Sequence, residues 1–229
     1  MRKDGIDVEA LKRVAVALGP LNDEVVYVGG GVLPLYVDSK AAPLARPTYD
    51  IDICLQIASR KHLEDIRQNL TKLGFQQRAS TDVTCRFWLD DVMVDVMSTR
   101  SIDWAPGDQW YELGWSQAFA VDLGGVWIRL LPLPFYLASK LSAFVDRPRE
   151  DARLSKHFED IVYLIDNRDD LVDQVLESSS EVITFLKAQF VRMLTEPNLH
   201  EAIRSHLEPS TQEERYALFL QTLKRLADS

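Results

Sequence analysis

Residues Tyr49–Ile57, with the sequence Tyr-Asp-Ile-Asp-Ile-Cys-Leu-Gln-Ile, carry the strongest fold signal in this chain of 229 residues. Apolar and polar residues alternate through the stretch, and this alternation predicts a β-strand with one buried face. Asp50 and Asp52 therefore point to the same face, about 7 Å apart along the strand. Paired carboxylates repel each other, and a divalent cation such as Mg²⁺, which prefers carboxylate oxygens, relieves that repulsion. Two solvated acids on an open sheet face are the alternative.

A glycine turn lies just upstream of this strand. Glu24–Val28 predicts a short apolar strand, Gly29–Gly31 predicts a turn, and Val32–Val37 predicts a helix. Glycines allow a close approach of the backbone to a ligand, and amides at a helix N-terminus attract phosphate. The segment lacks the lysine of a Walker loop and the spacing of a dinucleotide-binding loop. A plain tight turn is the alternative interpretation.

A third carboxylate lies on a predicted hairpin. Val83–Leu89 and Val92–Met97 are strand-like runs separated by two aspartates, which favours an antiparallel pair. The second run is apolar on both faces except for Asp95. A buried carboxylate is costly unless it is paired or binds a metal. Asp95 is therefore a candidate metal ligand, and an ion pair with Arg86 or Arg100 is the alternative.

The glycine turn, the D-x-D strand and the third aspartate together resemble the nucleotidyltransferase superfamily typified by DNA polymerase beta. In that superfamily a glycine pair opens a helix, a D-x-D follows on a strand, and a third aspartate comes from a neighbouring strand. The stretch Arg46–Asp52 is similar to the R-x-T-x-D-I-D form of the AbiEii-type subfamily, the toxin enzymes of some bacterial toxin–antitoxin and phage-defence systems. The resemblance covers roughly residues 24 to 166.

The second half of the chain extends the resemblance. Leu137–Ala143 and Lys156–Leu164 predict amphipathic helices that look like the K-L-x-A and D-x-x-D-I segments of the family. Lys140 matches the lysine that is expected to touch the triphosphate, and Asp160 matches the second acid. His157 stands where the family has the first acid, which puts a metal or base role at that position in doubt.

The resemblance implies a nucleotidyl transfer from an NTP that depends on Mg²⁺ or Mn²⁺. The metal ligands that it implies are Asp50, Asp52 and Asp95. The implied catalytic set adds two residues of the second half, Lys140 and Asp160. The implied nucleotide contacts are Gly30, Gly31, Arg46, Thr48 and Lys140. The family often has serine at the second position of the glycine pair, so the glycine here removes a hydroxyl contact to the triphosphate.

The amino-acid composition and the net charge indicate which class of protein this is. A content of 46% hydrophobic and 27% charged residues is ordinary for a soluble globular protein. Met1–Gly5 lacks the apolar region of a signal peptide, no stretch is long enough for a membrane span, and Cys54 and Cys85 fall within predicted strands. These features predict a cytoplasmic protein with reduced thiols and no membrane partner. The net charge of −9 argues against a general nucleic-acid coater.

The predicted fold class is α/β (α+β), with a mixed sheet followed by helices. A nucleotidyltransferase-like domain over residues 1–133, with about five strands, precedes a helical domain over residues 134–229, and we expect the active cleft between them. Residues 101–125 are interpreted as a loop-rich insertion whose aromatic side chains pack over the sheet, with stacking on bases as the alternative. Further helices are predicted at Val8–Leu18 and, capped by Ser59, from Arg60 to Leu73.

Three functions follow from these patterns. The first is transfer of an NMP, or a short run of them, to RNA such as a tRNA end, by a toxin or phage-defence enzyme with a cognate antitoxin. The second is modification of a small molecule, as in aminoglycoside nucleotidyltransferases. The third is a catalytically degenerate relative that serves as a binding or antitoxin module. The intact set of three carboxylates favours an enzyme, whereas His157 and the missing serine leave the degenerate module open as an alternative.

Overall fold

A computed structural model describes residues 7–37, 42–78, 84–147 and 151–228. The chain divides into two compact units, one drawn from Met1–Val32 and Pro47–Pro132 and the other from Leu33–Arg46 and Leu133–Ser229. The interpretations that fall on Met1–Gly5 and on Val83 lie outside the described residues. Within the described ranges, no helix combines the length and the apolar character that a membrane crossing requires.

The first unit is built on one mixed sheet of six strands in the order β3-β4-β2-β1-β6-β5. The strands are β1 (Val26–Val28), β2 (Asp50–Leu55), β3 (Arg86–Leu89), β4 (Val92–Ser98), β5 (Phe119–Asp122) and β6 (Trp127–Leu130). Strand β2 pairs antiparallel with β1 and parallel with β4, and β3 and β4 form the predicted antiparallel hairpin. The mixed sheet followed by helices confirms the predicted fold class.

Strand β2 lies between β1 and β4, and its alternation gives it one apolar face that is buried. Ile51 and Ile53 are completely buried, whereas Asp50 and Asp52 are half-buried on the opposite face. The expected assignment of alternate residues to opposite faces is confirmed. The strand therefore presents both carboxylates on one face of the sheet.

The helices predicted at Val8–Leu18 and from Arg60 onwards are present, and the second begins at its predicted cap, Ser59. Helix α1 covers Val8–Leu18, and helix α2 covers Arg60–Lys72, with the Ser59 hydroxyl accepting a hydrogen bond from the His62 amide at 3.1 Å. The segment after the glycine turn, Gly30–Tyr36, is a 3₁₀-helix with a proline inside it. Proline has no amide hydrogen to donate, which limits regular helix at this point.

The interpretation of residues 101–125 as loop-rich was wrong in two places. Helix α3 covers Gln109–Gly114, where the Asp108 carboxylate accepts a hydrogen bond from the Trp110 amide at 2.8 Å. Strand β5 then pairs antiparallel with β6 at the edge of the sheet. The sheet therefore has six strands rather than about five. All four residues of β5 are at least partly exposed, so the strand lacks the buried alternation that predicts strands.

The second unit is a bundle of helices. They are α4 (Leu133–Val145), α5 (Lys156–Asn167), α6 (Leu171–Leu176), α7 (Ser180–Thr195), α8 (Pro197–His206) and α9 (Gln212–Asp228). Helix α4 packs against α5, α6 and α7, and its residues from Leu133 to Leu141 are all buried. The helices predicted at Leu137–Ala143 and Lys156–Leu164 lie within α4 and α5. The short helix α6 was not predicted.

An earlier stretch of chain, Leu33–Arg46, belongs to this helical unit. The Tyr36 ring stacks on the Tyr136 ring with centroids 4.2 Å apart. The Arg168 guanidinium donates to the Tyr36 carbonyl at 2.8 Å, and the Tyr163 hydroxyl donates to the Pro43 carbonyl at 2.9 Å. These contacts bring Arg46, at the end of the stretch, against helix α5.

Candidate active site

Three carboxylates share one face of the sheet in the first unit. Asp52 on β2 lies directly opposite Asp95 on the parallel strand β4. Asp50 lies two residues before Asp52 on β2 and therefore on the same face. The resemblance implied that the third aspartate lies on a strand next to the D-x-D strand, and the register between β2 and β4 confirms that placement.

An arginine on the edge strand binds two of the three acids. Arg86 on β3 pairs with Asp95 through Nε to Oδ1 at 2.8 Å and Nη2 to Oδ2 at 2.7 Å. The same Nη2 reaches Asp50 Oδ2 at 3.3 Å, and the Thr48 hydroxyl donates to Asp50 Oδ1 at 3.0 Å. The ion pair with Arg86, which was the alternative role predicted for Asp95, is therefore the contact present.

The glycine turn approaches the D-x-D strand at Gly29. This residue has φ of +71°, a left-handed conformation that favours glycine, and a Cβ added to it would lie 1.7 Å from Asp52 Oδ2. The predicted nucleotide contacts Gly30 and Gly31 follow directly in the chain. The sequence pattern identified the turn, but it did not identify Gly29 as the residue on which the position of Asp52 depends.

We expect Gly29→Ala to lower the free energy of unfolding by about 3 kcal/mol or more, because it adds a clash with the Asp52 carboxylate to the strain of a positive φ. Gly74→Ala is the matched control, since Gly74 has φ of +93° and nothing within 4 Å of an added Cβ. Its free energy of unfolding should fall only by the cost of the strained conformation, about 1–2 kcal/mol. Urea unfolding of both variants measures the difference, and equal losses would contradict the proposed clash.

The predicted residues of the second unit form a buried ion network. Asp160 on α5 has no exposed side-chain surface. Arg46 binds it in a forked pair, Nε to Oδ1 at 2.7 Å and Nη2 to Oδ2 at 3.0 Å. Lys140 on α4, which is also buried, donates from Nζ to Asp160 Oδ2 at 2.7 Å. The Lys140 ammonium also lies 5.3 Å from the centre of the Tyr136 ring.

The network keeps Asp160 ionised. Burial alone would raise the pKa of Asp160, but the charge of Lys140 and the hydrogen bonds and charge of Arg46 outweigh burial and hold the pKa below its ordinary value. Two cations, Lys140 and Arg46, therefore bind this one buried carboxylate. Lys140 and Arg46, both expected to contact the nucleotide, are therefore engaged with an acid of their own unit.

His157 lies beside this network on α5. Burial, followed by the charges of Lys140 and Arg147, lowers the pKa of His157 to about 4. Its Nε2 lies 2.5 Å from an Arg147 guanidinium nitrogen, and its buried Nδ1 has no hydrogen-bond partner among the residues described. His157 is therefore a neutral imidazole with cations nearby, and it cannot replace the negatively charged carboxylate that the family has at this position.

The pH dependence of stability should show the effect of His157. A histidine with a pKa near 6.5 in the unfolded chain and about 4 in the folded protein destabilises the fold as pH falls from about 6.5 toward 4, because the unfolded chain binds the proton more tightly. We expect His157→Gln to reduce the loss of stability over this range by about 1–2 kcal/mol, after allowance for partial exposure. Urea unfolding of the wild type and His157→Gln at pH 7.5 and pH 4.5 measures this difference in the loss of stability. Identical pH profiles for the two proteins would show that His157 titrates normally.

The carboxylate face is suited to a cation only in part. In the described portion of the chain, no group of three or more His, Cys, Asp and Glu side chains is arranged to hold a metal ion. Both oxygens of Asp95 are bonded to Arg86, and the two oxygens of Asp50 accept hydrogen bonds from Thr48 and Arg86. A divalent cation at this face would therefore compete with Arg86 and Thr48 for the carboxylate oxygens, which are the ligand type that Mg²⁺ prefers.

Comparison with known proteins supports the fold. No protein-family model matches the sequence, and no curated protein matches it significantly. Among solved structures, an antigenic nucleotidyltransferase-like protein from Paracoccidioides brasiliensis aligns with a TM-score of 0.51 over 90% of this chain and 96% of that chain. The two sequences are 16% identical. A likeness at this identity shows a shared fold, so this chain has a nucleotidyltransferase-like fold.

Proposed function

We propose that this protein is a nucleotidyltransferase that depends on Mg²⁺ or Mn²⁺ and moves an NMP, or a short run of them, from an NTP to an acceptor. The observation that carries the proposal is the position of Asp50, Asp52 and Asp95 on one face of two neighbouring strands. The glycine turn that approaches Asp52 adds support, and so does the shared fold.

The residues of the first unit would have separate roles in the proposed reaction. Asp50 and Asp52 would hold the cation, which when bound neutralises charge on the triphosphate and orients it. Asp95, once released from Arg86, would orient the acceptor hydroxyl and take its proton. The amides of Gly30 and Gly31 would contact phosphate oxygens. Phosphoryl chemistry needs positioning and charge neutralisation more than covalent help from the protein, and these residues supply both.

The second unit would contribute positive charge. Lys140 and Arg46 both pair with Asp160, and their positive charges would attract the phosphates of an NTP. Asp160 would orient the Lys140 ammonium, as the 2.7 Å contact between them supports. Thr48 would act through Asp50, to which its hydroxyl donates.

We assign the acceptor to RNA, such as a tRNA end, and the biological role to a toxin or phage-defence enzyme with a cognate antitoxin protein. This assignment rests on the similarity of Arg46–Asp52 to the R-x-T-x-D-I-D form of AbiEii-type toxins. A small-molecule acceptor, as in aminoglycoside nucleotidyltransferases, is the alternative, and the experiment below includes aminoglycosides as acceptors to test it. The forked pair between Arg86 and Asp95 favours a second candidate function, a non-catalytic binding or antitoxin module, because it occupies a proposed ligand.

The test incubates the protein with each NTP labelled on the α-phosphate, with Mg²⁺, and separately with total RNA, total protein and a set of aminoglycosides. We expect the label to enter RNA for at least one NTP and to require the metal. Label in an aminoglycoside alone would select the small-molecule enzyme. Folded protein that transfers no label to any acceptor would support the non-catalytic module.

A further inference from the structure

The edge strand β5 leaves part of its backbone unpaired. Its hairpin with β6 closes at Leu123, whose amide donates to the Val126 carbonyl at 2.9 Å, and from there alternate residues of β5 bond to β6. This alternation turns the amides and carbonyls of Ala120 and Asp122 outward. Both residues are exposed, and within the described residues neither backbone bonds to another segment. The edge of the sheet therefore presents two donors and two acceptors.

The sequence of β5 does nothing to block this edge. Natural proteins protect edge strands with lysine, proline or a bulge. Phe119–Asp122 contains neither of these residues, and its register with β6 runs through all four positions without a bulge. Such an edge is a surface on which another strand can pair.

We infer that β5 pairs antiparallel with β5 of a second copy of this chain, about a twofold axis at Val121. In this register Ala120 of each copy lies opposite Asp122 of the other. The outward amides and carbonyls of the two pairs then form four hydrogen bonds between the copies. The pairing is isologous, so it closes at two chains and joins the two sheets into one. It goes beyond the proposed function and does not depend on it.

The neighbouring symmetric registers are less favourable. A shift of the axis to Asp122 places that carboxylate directly opposite its own copy, where like charges repel. A shift to Ala120 places Asp122 opposite Ala118, whose amide already donates to the Trp115 carbonyl at 3.2 Å. The register about Val121 therefore uses all the outward backbone groups of Ala120 and Asp122 without either conflict.

Charge complementarity supports a second copy as the occupant. Arg129 on β6 lies beside Ala120 on the same face, and the pairing brings Asp122 of the second copy to the other side of Ala120. Two strand spacings, about 10 Å, separate the Cα atoms of that arginine and aspartate, and the small alanine leaves the space between them open. Arg129 donates to the Asp23 and Trp115 carbonyls at 3.3 Å and 3.4 Å, and it pairs with no carboxylate in the part of the chain that the structure describes. The twofold axis therefore gives each copy's guanidinium a carboxylate.

The opposite face of the pairing is apolar. Val121 would lie against its own copy, and Phe119 would lie against Leu123 of the second copy, since alternation places these three residues on one face. Phe119 is 44% exposed, so covering it removes apolar surface from water. Four residues from each copy bury less than the roughly 1,200–2,000 Å² of a stable interface, so we expect a weak dimer with a dissociation constant on the order of 100 µM.

The first experiment measures the molar mass by sedimentation equilibrium from about 10 µM to about 1 mM protein, a range that spans this dissociation constant. We expect a monomer–dimer equilibrium in the wild type. Ala120→Pro removes an outward amide hydrogen from each copy but no hydrogen bond to β6, so the hairpin should remain. It should weaken the dimer at least about tenfold, because two hydrogen bonds between the copies are lost. Circular dichroism checks that the variant is folded.

The second experiment tests the charge pairing. Arg129→Glu and Asp122→Lys each put like charges on both sides of Ala120, so each variant alone should dimerise about tenfold more weakly. In an equimolar mixture, a dimer of one chain of each variant has opposite charges at both places, so dimerisation should return toward the wild-type level. Arg13→Glu is the matched control, since it reverses the same charge in an exposed pair with Asp91 and should dimerise as the wild type does.

Four results would overturn the inference. They are a wild type that stays monomeric over the whole range, a dimer that Ala120→Pro leaves unchanged, a mixture that dimerises no better than its two components, and a wild type that forms species larger than a dimer. If Ala120→Pro does not fold, the mixture of the two charge variants decides.

Discussion

Asp160→Asn is expected to lower the free energy of unfolding by about 3–5 kcal/mol, the cost of breaking a buried ion pair by removing one partner. Asp160 is fully buried and is the acid that Arg46 and Lys140 share. The neutral amide would leave the buried Lys140 ammonium and the half-buried Arg46 guanidinium without this carboxylate, and the desolvation of these cations is what costs stability. Urea unfolding at pH 7 measures the loss.

The control for this variant is Asp151→Asn, the same chemical change at an exposed acid that is paired with Arg153. Exposed pairs contribute little, so its unfolding midpoint should match that of the wild type. The pKa of Asp160 is lowered in the folded protein, so its stabilising effect is present above the unfolded value near 4 and is lost as pH falls through the folded pKa. The difference in free energy of unfolding between the wild type and Asp160→Asn should therefore become smaller below about pH 4. A loss at pH 7 no larger than that of the control would contradict the buried network.

Asp52→Asn is expected to reduce metal-dependent nucleotidyl transfer about a thousandfold or more, because a metal ligand contributes several kcal/mol to charge stabilisation in the transition state. The stability of the metal-free protein should stay the same or rise slightly, by no more than about 1 kcal/mol. Asp52 lies opposite Asp95 and on the same face as Asp50, so the amide relieves repulsion between like charges. Transfer rates and thermal unfolding without metal measure the two effects.

Asp65→Asn, on the exposed side of helix α2, is the matched control in the same unit. It should leave both the transfer rate and the unfolding temperature unchanged. A marked loss of metal-free stability in Asp52→Asn would show that Asp52 has mainly a structural role, and its assignment as a metal ligand would weaken.

Local patterns in the sequence predicted the strands that carry the candidate site. The alternation over Tyr49–Ile57 predicted that Asp50 and Asp52 lie on one face. The apolar run Val92–Met97, which contains Asp95, predicted a second strand. Capping side chains predicted where α2 begins. These signals arise from interactions within a few residues, so a single sequence contains them.

Contacts between distant segments could not be predicted in the same way. Arg46 and Asp160 are 114 residues apart, and no local pattern indicates that Leu33–Arg46 belongs to the helical unit. The pairing of β2 with β4, which places Asp52 opposite Asp95, depends on the topology of the whole sheet. The dependence of Asp52 on Gly29 likewise appears only when the backbone path is known, although a glycine directly after a strand is a signal for positive φ.

The central claim is that the carboxylate face of the sheet supports transfer of an NMP. The most direct measurement compares NTPs labelled on the α-phosphate with NTPs labelled on the γ-phosphate in the presence of Mg²⁺ and total RNA. We expect the α-label to become covalently attached to RNA and the γ-label to leave as pyrophosphate, with neither event in Asp52→Asn. Attachment of the γ-label to an acceptor, or no transfer of either label by folded wild-type protein, would contradict the claim.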